Sequence, residues 1–115
     1  MKTLTVRVES LAEVAKSALA ALKSGKAEPS AGLSFASYED MHRVLSPRRL
    51  QVIRAMAGAG TLTYREVARR VGRDFKAVHT DLTALVTAGL IDRETDGVLF
   101  AYESLHFDFD VRAAA

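Results

Sequence analysis

Apolar residues recur along this chain in two rhythms, one of period two near its ends and one of period 3.6 between them. Residues 2–8 alternate, with Leu4, Val6 and Val8 on one face and Thr3, Thr5 and Arg7 on the other, which predicts a strand. Leu105, Phe107, Phe109 and Val111 alternate with His106, Asp108 and Asp110 and predict another. Ser10-x-x-Glu13 is a capping box, able to satisfy two backbone donors that a helix start leaves orphaned. It opens a helix with Leu11, Val14, Ala15, Ala18, Leu19 and Leu22 at helical spacing, ending near Gly25. The alanines in that stripe would let another helix approach closely. Residues 26–32 read as a loop, residues 33–36 as a short strand or extended entry, and Ser37-x-x-Asp40 as the cap of a short helix reaching Leu45.

The middle of the chain is punctuated more sharply. Ser46-Pro47 starts a helix, with serine at the N-cap and proline where its missing N–H is harmless. Leu50, Ile53, Met56 and Ala57 point inward, and Gly58 and Gly60 end it. Thr61-Leu62 is a brief extended link. Thr63-x-x-Glu66 is a further capping box, followed by inward Val67, Ala68 and Val71 and a stop at Gly72. Asp74 caps residues 75–88, whose inward positions are Phe75, Val78, Leu82, Leu85 and Val86. After Gly89, residues 90–95 and 98–102 form a hairpin about the tight-turn dipeptide Asp96-Gly97. Helix, link, helix, tight turn, helix and hairpin, over residues 46–102, make a winged helix-turn-helix. The expected fold is α+β: an N-terminal strand–helix extension over residues 1–32, and a winged-helix domain with a C-terminal strand over residues 33–112.

Charge sharpens this picture. The chain has 115 residues, 49% of them hydrophobic and 26% charged, and no cysteine. That is one globular domain, without disulfides, thiolate zinc or a cysteine nucleophile, suited to a reducing cytoplasm. Residues 1–24 lack the continuous apolar run of a signal peptide, and no stretch is long enough to span a bilayer. The net charge of +2 is uninformative. Its distribution is not: eight basic residues lie between Arg48 and Lys76, opposed only by Glu66 and Asp74. A basic middle ahead of a mildly acidic tail points to a polyanion as the partner of the middle alone.

In the helix over residues 75–88, the side opposite the expected core carries Lys76, Ala77, His79, Thr80 and Thr83, groups that suit base edges or a thymine methyl. Thr63, Tyr64 and Arg65 open the preceding helix, where amides and the positive dipole end can hold a phosphate. Arg69, Arg70 and Arg73 add charge, and Arg93 sits on the wing. Tyr64 suits packing under its helix as well as a phosphate, and His79 a plain surface role as well as a contact. Asp74 and Asp81 count against a strong phosphate grip by this helix.

The runs Ser34-Phe-Ala-Ser-Tyr-Glu-Asp40, Leu45-Ser-Pro-Arg-Arg-Leu50, Val71-Gly-Arg-Asp-Phe-Lys-Ala-Val-His79 and Ala88-Gly-Leu-Ile-Asp92 together resemble a family of small MarR-like winged-helix proteins. These are regarded as transcriptional regulators of bacteria and archaea, and some look like antitoxins of toxin–antitoxin operons. The resemblance covers residues 33–111 and is most specific in the run from Gly72 to His79. It implies sequence-specific binding of double-stranded DNA by a dimer.

Other chemistry finds little footing. His106, Asp108 and Asp110 share one strand face, but neighbours two apart stand about 7 Å from each other, wide for one metal ion. A solvent-facing strand explains them more simply. Pairing of residues 2–8 with 105–111 would set Arg7 against that acidic face and remove two exposed edges; the pattern leaves open whether it forms within or between chains. No catalytic group, metal site or cofactor is expected. The reading is a homodimeric, cytoplasmic, DNA-binding transcriptional regulator, a repressor and in one version an antitoxin repressing its own operon. Its alternative is a protein-interaction module, or an antitoxin that binds a cognate toxin through its terminal strands or N-terminal helix.

Overall fold

The computed structural model describes residues 2–25 and 31–113. Strand β1 (Thr3–Val8) lies between β2 (Ala31–Phe35) and β5 (Ser104–Phe107), parallel to both. The alternation of β1 gives it two faces. Leu4 and Val6 enter the hydrophobic core, joined by half-buried Leu33, Phe35 and Leu105. The other face is polar: Thr5 lies between Gly32 and His106, and Arg7 beside Ser34. β1 is the central strand of this sheet, with the next strand in sequence, β2, on one edge and the C-terminal β5 on the other. The anticipated pairing with the C-terminal segment forms within one chain, and Arg7 Nε stands 3.6 Å from Asp108 Oδ2.

Two boundaries differ from expectation. β5 ends at Phe107 and Val111 is 85% exposed, so the alternation of residues 105–111 outruns the strand. Ala31 and Gly32, expected in a loop, begin β2 by pairing with Leu4 and Thr5, and glycine at 32 leaves room for the Arg7 guanidinium, which a Cβ would meet at 2.9 Å. The remainder of that loop, residues 26–30, and the last two alanines lie outside the described residues.

Helix α1 (Leu11–Ser24) crosses from β1 to β2. Its capping box forms as spelled, with Glu13 N donating to Ser10 Oγ at 3.2 Å, and Gly25 ends it in the left-handed region at φ 67°. None of its residues is buried. The reason lies beneath it. The sheet face it crosses presents Arg7, Ser34 and Asp108, and a cleft of about 880 Å³ separates these from Glu13, Val14, Ser17, Ala18 and Ala21. A helix gains little by collapsing onto a charged surface.

Helices α2 (Tyr38–Val44), α3 (Pro47–Met56), α4 (Tyr64–Val71) and α5 (Phe75–Thr87) precede the hairpin β3 (Asp92–Glu94)–β4 (Gly97–Leu99). Leu62 and Val98 exchange both backbone hydrogen bonds, 2.9 and 2.8 Å, an isolated bridge that ties the link between α3 and α4 to the hairpin. The result is a winged helix-turn-helix. Its starts are those spelled in the sequence: Ser46, Thr63 and Asp74 accept from Arg49 N, Glu66 N and Ala77 N respectively. Gly72, at φ 67°, ends α4 and lets the chain turn at once into α5. Val52, Met56, Val67, Val78, Leu82, Leu85 and Val98 are fully buried between these elements. The hairpin turn falls one residue earlier than expected, on Thr95-Asp96, with Glu94 paired to Gly97. Gly97 serves instead for closeness: a Cβ there would stand 2.1 Å from the Leu62 carbonyl oxygen. Among the described residues no helix is long and apolar enough to cross a membrane.

Candidate nucleic-acid interface

α5 buries Val78, Asp81, Leu82 and Leu85. At 100° per residue the opposite side is Lys76, Thr80, Thr83 and Thr87, all exposed. Thr80 Oγ1 donates to the Lys76 carbonyl at 3.1 Å and Thr83 Oγ1 to the His79 carbonyl at 2.9 Å, so each hydroxyl oxygen still faces outward as an acceptor. Ala77 is half-buried at the edge of this face.

On one flank, aromatic contacts tie α4 to α5. Tyr64 is half-buried, with its ring 4.9 Å from that of His79, and the His79 ring is 6.0 Å from Phe75. Phe75, expected in the core, is 39% exposed: it lies in the first turn of α5, ahead of the packed layer, and the Arg65 guanidinium covers its ring at 5.1 Å. That cation–π contact, worth about 0.5–1 kcal/mol at an exposed site, stiffens a side chain otherwise free to wander. Arg65, Arg69, Arg73 and Phe75 line a shallow cavity of about 320 Å³ around Gly72. Thr63 is occupied by its cap, donating to Glu66 Oε1 at 3.1 Å. Hydrogen bonds from the Thr63 backbone and hydroxyl hold the Glu66 carboxyl below its ordinary range.

On the other flank lies an arrangement that sequence reading missed. Asp81 is fully buried on the core side of α5. Arg49 Nε donates to its Oδ1 at 3.1 Å, Arg73 Nη1 donates to its Oδ2 at 3.0 Å, and Arg48 Nε stands 3.4 Å from Oδ2. Arg49 Nη1 also donates to the carbonyls of Arg43 and Val44, and Arg73 Nη2 to that of Arg48. One carboxylate thus joins the end of α2, the start of α3, the turn after α4 and the middle of α5. Arg73, expected as a phosphate contact, is engaged elsewhere in this structure, on Asp81. Its guanidinium is turned inward and held, and only 21% of the side chain is exposed. The signal was present: Asp81 falls at the helical spacing of Val78 and Leu85, a buried position where a carboxylate needs partners.

The structure therefore gathers Tyr64, Arg65, Arg69 and His79 on one flank and Lys76, Thr80 and Thr83 on the outward face. It holds Arg73 against Asp81 and carries exposed Arg93 separately, on β3 of the wing. No group of three His, Asp or Glu side chains placed to hold a metal ion occurs among the described residues.

The sequence model of one family, HVO_A0114, matches residues 44–107, more than half of the chain. The chain belongs to the HVO_A0114 family. The matched segment runs from the end of α2 through the helix-turn-helix and wing to β5, and so includes Asp81 and its three arginines together with the whole outward face of α5. β1, α1 and β2 lie outside it. No curated protein and no solved structure matches the chain.

Proposed function

We propose that this HVO_A0114 member is a sequence-specific DNA-binding transcriptional regulator, a repressor that acts as a homodimer with α5 in the major groove. The observation that carries the reading concerns Asp81. In the sequence it opposed a phosphate grip; in the fold it is buried and covered by three guanidinium groups. The outward face of α5 is left with Lys76, three threonines and no carboxylate, beside Arg65 and Arg69. Such a face suits base edges between phosphates. The resemblance of the 34–40, 45–50, 71–79 and 88–92 runs to MarR-like regulators supports the same reading.

Dimerisation is proposed through α1, where Leu11, Leu19 and Leu22 are 86%, 53% and 79% exposed. Small residues beside them permit close approach of a second α1. A two-fold axis there would present two reading helices to two half-sites. The same leucines favour one second reading, an antitoxin whose principal partner is a toxin protein held on α1.

Selection of bound sequences from a random duplex pool tests the proposal. Enrichment of inverted repeats is expected, and it reports target and dimer symmetry together. Absence of any enrichment moves the assignment to the interaction reading, whose apolar interface would respond little to salt.

A further inference from the structure

The three arginines on Asp81 are not equivalent. Arg49 and Arg73 donate true hydrogen bonds, one to each carboxylate oxygen, and their side chains are 18% and 21% exposed. Arg48 is 61% exposed and shares Oδ2 with Arg73 as an ion pair at 3.4 Å, with no hydrogen bond from its guanidinium to the described residues. Three positive charges meet one negative charge, so the cluster holds a surplus of two. The surplus is carried outward by the member held most weakly. Removing Arg48 from Asp81 leaves the carboxylate still bonded on both oxygens, so its departure strands no buried charge.

Its position gives that surplus a direction. Asp81 shares one edge of α5 with Ala77 and Ala84, one step round the helix from Thr80. Arg48, 61% exposed, thus reaches α5 from the surface on its Ala77–Asp81–Ala84 side, whereas Phe75 and His79 lie on the other side of the helix. A duplex seated on Lys76, Thr80 and Thr83 has a sugar–phosphate strand on each side of the groove that receives the helix. Arg65 and Arg69 face one of them. Of the three arginines on Asp81, Arg48 is the one whose side chain is mostly exposed.

From this we infer that Arg48 is a phosphate-binding residue, parked on Asp81 in the free protein and transferred to the DNA backbone on docking, so that the reading helix is gripped from both edges. The inference rests on the DNA-binding reading. It adds a contact that sequence reasoning left unassigned, and it gives Asp81 a second task, as the rest that orients Arg48 before DNA arrives.

The test is the salt dependence of duplex binding by the full chain, followed by fluorescence anisotropy on labelled random-sequence duplex at a series of KCl concentrations. Each phosphate contact contributes about 0.9 to the slope of log K against log salt. Arg48→Ala is expected to lower the slope by about one, weakening all sequences alike, while urea unfolding is little changed. Arg48→Lys keeps the charge and is expected to restore the slope. Arg65→Ala serves as the reference on the opposite edge. If Arg65→Ala weakens binding while Arg48→Ala leaves affinity and slope at their wild-type values, the transfer to phosphate is wrong and Arg48 is only a surface partner of Asp81. If the unaltered protein binds no duplex even at low salt, the DNA-binding reading falls and takes this inference with it.

Discussion

Helices α1 and α5 are close in length, 14 and 13 residues, and each is opened by a side-chain cap and carries an apolar stripe. Their fates differ completely. α5 seats Val78, Leu82 and Leu85 at 0% exposure against α3 and α4, whereas α1 buries nothing. The difference lies in what each helix finds opposite it. The neighbours of α5 offer Val52, Met56 and Val67; the sheet beside α1 offers Arg7, Ser34 and Asp108 across a cleft. An amphipathic pattern states that a helix has something to bury. It does not state where the complementary surface is, or on which molecule.

The contrast also concerns charge. α5 is fixed by apolar packing and by a polar hub that joins four segments through Asp81. Asp81→Asn should have the largest effect, about 3–5 kcal/mol lost in urea unfolding, because three guanidinium groups lose their shared counter-charge. An unaltered unfolding midpoint would mean that apolar packing alone places α5.

The next effect separates the two helices directly. Leu82→Ala should cost about 2–5 kcal/mol, whereas Leu19→Ala should change the stability of the isolated chain by less than about 0.5 kcal/mol. Sedimentation equilibrium should show the opposite ranking, with Leu19→Ala weakening self-association and Leu82→Ala sparing it among molecules that remain folded. Equal costs in unfolding would show that α1 is packed after all.

A smaller effect probes the wing that follows α5. Gly97→Ala should cost more than about 1 kcal/mol, since a methyl group there meets the Leu62 carbonyl and forces the hairpin from the link before α4. Loss of amide protection confined to Leu62 and Val98 would be the local signature by hydrogen exchange.

The smallest is a pH dependence. Glu66 is held in its charged form by the Thr63 backbone and hydroxyl, so its folded-state pKa lies below its unfolded one. Its contribution is therefore complete above the ordinary carboxylate range and is lost as pH falls through the lowered value. The stability gap between wild type and Glu66→Gln should close with acidification. A gap independent of pH would mean that the capping box acts through shape alone.

Local features were legible in the sequence because their causes are local. The caps at Ser46, Thr63 and Asp74 and the stops at Gly72 and Gly89 bracket the helix-turn-helix within a residue or two. The outward face of α5 followed from the same periodicity. What was missed depends on partners remote in sequence. Arg73 counted as one more surface cation because its partner Asp81 lies on the next helix, and Arg49 meets the same carboxylate from 32 residues away. Phe75 obeyed the spacing of a core residue, yet spacing does not say that the packed layer begins one turn later. Likewise, alternation identified β1 as a strand without revealing that both its neighbours run parallel to it.

That parallel arrangement has a consequence for how the chain is made. Thr3 and Ser104 hold each other by their hydroxyls at 2.7 Å across 101 residues of sequence. A ribosome that has delivered β1 must synthesise the whole helix-turn-helix and wing before β5 emerges. During that interval Leu4 and Val6 lack part of their cover, and one edge of β1 is open to any extended chain nearby. The winged helix, built from contacts close in sequence, has time to form first. The sheet can close only after β5 has emerged, and a chain without β5 would carry an open, adhesive edge on β1.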